Sequence, residues 1–145
     1  MKDDTYNLNR FVDAQDKVYN TVLQELQTGR KTTEWMWFIF PQLKGLGNSA
    51  KSEYYGISGK EEALAYLAHP VLKERLENCF TILLQSKISN PVRIFGHIDH
   101  QKLHSSATLF SIAEPENQLF QKIIEKFWGI PDFETEKILN EKKII

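Results

Sequence analysis

The fold is decided by the segment Trp35-Met36-Trp37-Phe38-Ile39-Phe40-Pro41-Gln42, which holds two of the three tryptophans of this 145-residue chain. Its aromatic content is typical of a buried strand, but no other segment offers a convincing pairing partner. A lone buried strand would leave backbone N–H and C=O groups unpaired. A short buried helix, capped by Thr32 or Thr33 and ending before Pro41, avoids that cost. We therefore predict a helix, with Trp35 and Phe38 buried, and keep a strand as the alternative.

The flanking segments also carry helical periodicity. Apolar residues recur at helical spacing over about 8–27, where Asn7 can cap the start and Gly29 suits the end. Ser58-Gly59-Lys60-Glu61 has the form of a capping box that opens a helix through Ala68. Pro70 suits the first turn of a long helix, and Asp99 can cap another through about residue 112. We predict one compact all-α domain of about six to seven helices.

Length and composition agree with a single globular domain. Hydrophobic residues make up 41% of the chain and charged residues 26%, which is ordinary for a folded protein. We place a flexible N-terminal tail at residues 1–7, the helical domain at 8–140 and a C-terminal tail at 141–145. The single cysteine, Cys79, excludes an internal disulfide and fits a reducing compartment.

Several classes of protein are disfavoured. A net charge of −1 gives no general attraction to nucleic acid. The longest apolar run, 35–40, is too short to span a bilayer, and the polar, acidic start does not resemble a signal peptide. His97, His100 and His104 can share a helix face, but no further ligand completes a metal site, so none is predicted. We expect a cytoplasmic protein.

The chain resembles the domain of unknown function 1810 family over roughly residues 8–140. The most specific match is the segment 35–42, followed by Gly45-Leu46-Gly47-x-Ser49, Tyr55-Gly56-Ile57, Ile94-Phe95-Gly96 and Ser105-Ser106-x-Thr108-Leu109-Phe110. The resemblance implies a small, mainly helical bacterial-type domain without an established activity. Some members are labelled calpastatin-like, but calpain inhibitors are extended and disordered, whereas this chain has a periodic core.

Three positions depart from the family pattern. Glu34 stands where the family usually has His, His104 where Arg is usual, and Ala107 where Met is usual. If the family's His were a catalytic base, this chain would use Glu34 instead or lack the activity. The change at Ala107 is more simply explained by core packing.

A ligand site is one interpretation of the segment 30–49 and its surroundings. Positive charges at Arg30 and Lys31 are followed by a Gly-containing loop and a helix start, and free amides at a helix start can bind an anion. A tryptophan there could stack on a planar ring. The alternative is that the glycines make a turn, Ser49 only caps the helix and the tryptophans belong to the core. The candidate ligand-binding residues are Arg30, Lys31, Trp37, Gln42, Gly45, Gly47, Ser49 and Tyr55.

Catalytic candidates are fewer. Lys102 and Ser106 share a helix face at i, i+4 and could act as base and nucleophile, although such hydroxyls usually bond to helix carbonyls. His69 could carry a proton or only cap the helix that Pro70 begins. Glu34 is a candidate because it replaces the family's usual His.

Two hypotheses for function remain open. The first is a protein that binds a small anionic or nucleotide-like ligand and has possible enzymatic activity. The second is a helical protein–protein interaction module without catalysis. No cofactor and no specific protein partner is identified by the sequence. Tryptophans buried beneath a polar pocket would favour the first, and a flat exposed apolar patch the second.

Overall fold

A computed structural model describes residues 4–144 of the chain, with side chains for residues 4–142. That part of the chain forms nine helices and no strand. The helices are α1 Asn9–Asp16, α2 Tyr19–Thr28, α3 Met36–Ile39, α4 Ala50–Tyr55, α5 Lys60–Ala68, α6 Pro70–Gln85, α7 Pro91–Ala113, α8 Gln118–Phe127 and α9 Phe133–Ile144. An isolated parallel bridge pairs Leu43 with Ile57. The predicted all-α class is confirmed, with more helices than expected.

The core lies where α6, α7 and α8 pack together, with α5 against α6 and α7, and α1 and α2 against α6. Aromatic rings fill much of it. Phe80 of α6 meets Phe120 of α8 at 5.6 Å between ring centres, and Phe110 of α7 lies 5.8 Å from Phe120. All three are fully buried, so the long helices are joined by contacts between large rings.

The tryptophan-rich segment is a buried helix, as predicted, but of a single turn. Trp35, Met36, Ile39 and Phe40 are buried. The predicted burial of Phe38 is only partial, because its ring lies at the edge of the core against Tyr55. Trp35 itself occupies the N-cap position, and no side chain caps the turn. The predicted caps Thr32 and Thr33 bond to Glu25 instead. The helix satisfies its backbone locally, and this is why the strand alternative is wrong.

Glu25 is a buried carboxylate that ties the end of α2 to the start of α3. One oxygen accepts the N–H groups of Thr32 and Thr33 and the indole N–H of Trp35, at 2.8, 3.1 and 3.0 Å. The other accepts the Thr33 hydroxyl at 2.6 Å. Burial alone would raise the pKa of Glu25, but these hydrogen bonds outweigh it and lower the pKa to about 2. The ionised form is therefore the one that the fold stabilises.

The first predicted helix is two helices, because the chain leaves helical geometry at Val18 (φ −133°) between α1 and α2. Its predicted cap is also different. Asn7 has a positive φ of 54°, and the Asp4 carboxylate accepts the N–H groups of Leu8 and Asn9 at 2.6 and 3.1 Å. A carboxylate several residues upstream can replace a cap when the chain folds back over the helix start. Gly29 ends α2 in the left-handed conformation, as predicted.

Two other predicted caps are displaced. Gly59, not Ser58, is the N-cap of α5, so the Ser58 N–H and hydroxyl both donate to Glu62 rather than Glu61. Glu62 also forms a nearly buried ion pair with Arg10 of α1 at 2.7 Å. Asp99 lies inside α7 and caps no helix, because the chain breaks only at Gly96 (φ 83°) and resumes the helix at once. The last helix, α9, continues to Ile144.

We expect Glu25→Gln to lower the free energy of unfolding by about 3 kcal/mol at neutral pH. The value follows from the difference between an ordinary glutamate pKa of 4.5 and about 2 in the fold, at about 1.4 kcal/mol per unit. Since the folded pKa is depressed, this stability is present above about pH 4.5 and is lost as the pH falls through 2. Urea unfolding at several pH values measures it.

Glu125→Gln on the exposed face of α8 is the matched control. We expect it to change stability by less than about 0.5 kcal/mol. If the free energy of unfolding falls equally steeply with decreasing pH in the wild type and in Glu25→Gln, the assigned role of Glu25 is contradicted.

Candidate functional site

Two lysines converge on Trp37, the half-buried tryptophan of α3. The ammonium groups of Lys51 from α4 and Lys102 from α7 lie over its ring, at 4.6 and 5.1 Å from the ring centre. Such cation–π contacts stabilise the cations in place. The indole N–H of Trp37 is buried and has no hydrogen-bond partner among the described residues. Buried donors of this kind are rare in folded proteins.

A small cavity adjoins this ring. It is lined by Met36, Trp37, Phe40, Gln42, Ser52, Tyr55, Gly56 and Lys102. Its volume of about 10 Å³ is close to the space that one water molecule needs. Helices α3, α4 and α7 each contribute to the lining, so residues far apart in sequence meet here.

A groove of about 320 Å³ shares Gln42 and Lys102 with the small cavity. Leu46 and Gly47 of the loop before α4 contribute to its lining, as do Ile98, Gln101, His104 and Ser105 of α7. Asp132 and Glu134, at the start of α9, complete it. A space of this size is at the lower end of the range for small-molecule sites.

A second groove, of about 430 Å³, lies beside the first and includes Glu34, Gly96, His97, Asp99 and Lys102 in its lining. Asp99 pairs with Lys31 at 2.8 Å and lies 3.7 Å from Lys102. The Lys31 side chain is 5% exposed, and its ammonium also lies over the ring of Trp35. Lys31 is therefore neutralised within the fold, whereas Lys102 is held more loosely.

The α9 side of the first groove is fixed by hydrogen bonds. Asp132 accepts the hydroxyls of Ser105 and Thr135 at 3.1 and 2.6 Å, and its own N–H donates to Thr108. His104 bonds to the carbonyl of Ile130 at 2.7 Å. These contacts tie the loop before α9 to α7, so both sides of the groove have defined positions.

The three histidines of α7 do not form a metal cluster. His104 stacks on Trp128 at 4.3 Å, and His100 accepts the Trp128 indole N–H. Burial, together with the charges of His97 and His104, lowers the pKa of His100. In residues 4–142 no group of three or more metal-type side chains is close enough to hold an ion.

Comparison with known proteins identifies the family of the chain. The sequence profile described as "Protein of unknown function (DUF1810)" matches residues 5–139. The chain belongs to this family. A solved relative of the DUF1810 chain is the conserved hypothetical protein Rv1873 from Mycobacterium tuberculosis, with 46% identity over 94% of this chain and 99% of the other, and a TM-score of 0.92. No curated protein matches, and no helix of residues 4–144 is long and apolar enough to cross a membrane.

In this DUF1810 domain, four of the residues singled out in the sequence meet around the small cavity. They are Trp37, Gln42, Tyr55 and Lys102. Gly47 lies on the adjoining groove and Glu34 on the second one. Lys31 reaches the same region through Asp99. The aromatic segment therefore crosses the core and brings residues from both of its ends toward α7.

Other residues singled out in the sequence lie away from the two grooves or have structural roles such as helix capping. Arg30 and Gly45 are exposed and line none of the cavities described above, and Ser49 caps α4 by accepting the Ser52 N–H. His69 caps α6 and lines a different cavity, with Tyr6 and Asn9. Ser106 is fully buried, and its hydroxyl has no hydrogen-bond partner, Lys102 included, among the described residues.

Lys51 and Asp99 are residues of the candidate site that the sequence does not single out for this role. Lys51 lies in the first turn of α4, which Ser49 caps, and Asp99 was predicted only as a helix cap. Its pairing with Lys31 links residues 68 positions apart, and no local pattern shows such a contact.

We expect Asp99→Asn to lower the free energy of unfolding by about 2–3 kcal/mol, because it leaves the nearly buried ammonium of Lys31 without a counter-charge. Adding Lys31→Met should recover at least half of the loss. Urea unfolding of the single and double variants measures both effects, with exposed Asp13→Asn as the control. If Asp99→Asn lowers the free energy of unfolding by less than about 0.5 kcal/mol, water solvates the Lys31 ammonium in place of Asp99.

Proposed function

We propose that this domain binds a small anionic molecule at Lys51 and Lys102, beside Trp37. The observation that carries the proposal is the convergence of two ammonium groups on a ring whose buried N–H has no partner among the described residues. Lys51 forms no ion pair in the described part of the chain, and the only carboxylate paired with Lys102 there lies 3.7 Å away. An anion would supply the missing counter-charge, and a suitably placed oxygen could accept the indole N–H.

The tryptophans limit how a nucleotide-like ligand could bind. Trp35 is fully buried and its N–H is engaged by Glu25, so it cannot stack on a base. Trp37 has ammonium groups over its ring, and a stacked base would have to displace one. The rest of a larger ligand would instead occupy the groove of about 320 Å³.

Binding has more structural support than catalysis. The Ser106 hydroxyl is buried apart from the grooves, and His69 lies on another cavity. Glu34 lies on the second groove with Lys102, but no pairing with a nucleophile supports a reaction step. We therefore propose a binding protein and no reaction. A cytoplasmic location and a single domain over residues 8–140 remain predictions from the sequence.

The second candidate function is a protein–protein interaction module. It is favoured by three exposed apolar side chains near the groove, of which Ile98 is 72%, Ile130 68% and Phe133 69% exposed. Ile98 lines both grooves, and the other two flank Asp132 closely in the chain. The burial of Trp35 and the lysines over Trp37 favour a polar pocket, so we rank this function second.

Titration of ¹⁵N-labelled protein with inorganic phosphate tests the first function. We expect the indole N–H resonance of Trp37 to shift, while that of Trp35, bonded to Glu25, stays in place. Lys51→Gln and Lys102→Gln should each weaken phosphate binding by roughly tenfold to a hundredfold, the effect of losing a hydrogen bond to a charged group. Lys122→Gln, on the exposed face of α8, is the matched control.

If Lys51→Gln and Lys102→Gln bind phosphate as tightly as the control Lys122→Gln, the proposed position of the binding site is contradicted. Failure of the Trp37 resonance to shift with phosphate, at any concentration that leaves the fold intact, would remove the proposal in favour of the interaction module.

A further inference from the structure

The groove of about 320 Å³ is lined by one lysine, Lys102, and by two carboxylates, Asp132 and Glu134, and Lys51 lies over the neighbouring ring of Trp37. We infer that the ligand of this groove is a zwitterion, with an anionic group at Lys51 and Lys102 and a cationic group at Asp132 and Glu134. The inference rests on the proposed function and narrows the class of ligand. Phosphate and carboxylate are both suitable anionic groups, and an ammonium group is the simplest cationic one.

The residues of α7 that lie beside the two charged groups are close together in the helix. Lys102 shares the small cavity with Gln42 and Trp37, whereas Ser105, three residues on, bonds to Asp132 at 3.1 Å. Three residues of a helix advance by roughly 4.5 Å. The anionic and cationic groups of the ligand therefore need only a short chain of atoms between them.

Apart from the 3.7 Å contact between Lys102 and Asp99, the charged groups at both ends have no ionic partner among the described residues. Asp99 neutralises Lys31 and lies on the second groove, away from the α9 side. Asp132 and Glu134 form no ion pair with any described residue, although donors from Ser105 and Thr135 occupy one Asp132 oxygen. A ligand with only negative charge would meet these two carboxylates in the same groove. A cationic group at the far end of the ligand turns that repulsion into attraction.

Part of the lining of the groove is apolar. Leu46 and Ile98 both line it, and neither can hydrogen-bond through its side chain. A short hydrocarbon link between the charged groups fits this wall better than a polyhydroxylated chain, whose hydroxyls would lose their water without new partners there. Aminoalkyl phosphates and amino-acid-like carboxylates share this chemistry.

Matched pairs of small molecules test the inference. We compare 2-aminoethyl phosphate with ethyl phosphate, and 4-aminobutyrate with butyrate, by following the Trp37 indole resonance during titration. We expect the zwitterion of at least one pair to bind at least fivefold more tightly than its anionic partner. The pair that shows the preference identifies the anionic group as phosphate or carboxylate.

Glu134→Gln isolates the cationic end, because Glu134 is exposed and its side chain forms no hydrogen bond or ion pair with the described residues. We expect this variant to bind ethyl phosphate or butyrate as well as the wild type or better, and to lose the preference for the zwitterion. Exposed Glu116→Gln should keep the preference. Asp132 is left unchanged because it holds the start of α9.

The outcomes separate the two proposals. Equal binding of the zwitterion and its anionic partner in both pairs, with a Trp37 shift in each, overturns the zwitterion inference and leaves anion binding in place. A preference that survives in Glu134→Gln also overturns it. If neither phosphate nor any of the four compounds shifts the Trp37 resonance, anion binding fails and the inference fails with it.

Discussion

The buried carboxylate of Glu25 is the constraint on which the candidate site depends. Four donors reach it from the segment after α2, and one of them is the indole N–H of Trp35. This bond fixes Trp35 in the core beside Phe40 and Phe95. In a helical turn, residues two apart point to different sides, so burying Trp35 directs Trp37 toward α4 and α7. A single ionised group thus decides which tryptophan belongs to the core and which to the site.

The elements could be predicted from the sequence more fully than their connections. Helical periodicity predicted the all-α class, and the cost of unpaired backbone groups in a lone buried strand predicted the short helix before Pro41. The caps predicted at residues 7, 32, 33 and 99 were wrong because other groups take the same partners. Asp4, a few residues upstream, accepts the amides at the start of α1 in place of Asn7. Glu25 accepts from Thr32 and Thr33, and Lys31 pairs with Asp99 across the fold, a contact that no local pattern shows.

Most residues of the candidate site could also be predicted from the sequence, but their pairing could not. Trp37, Gln42 and Tyr55 were predicted as ligand-binding residues, whereas Lys102 was named as a catalytic candidate with Ser106. Charge alone did not separate Lys31 from Lys51, although the first is buried with Asp99 and the second has no ion pair among the described residues. The distinction depends on burial and pairing, since a neutralised lysine holds the fold while an unpaired one can bind an anion. The number of positive residues in the sequence does not show which of them are buried and paired.

Gly96 connects the core to the site. Its φ of 83° and ψ of 175° interrupt α7, and a positive φ of this kind is strained for residues with a Cβ. Before the break, Phe95 packs on Trp35 and Phe40. After it, the helix turns so that Asp99 reaches Lys31 and Lys102 reaches Trp37. An unbroken helix would keep residues 95, 99 and 102 on one face at i, i+4 and i+7, and one face could not serve both the aromatic core and the lysine cluster. Because of the break, one turn of α7 packs in the aromatic core and the next turn contacts the lysine cluster. The position of Lys102 beside Trp37 therefore follows from the same backbone change that completes the core.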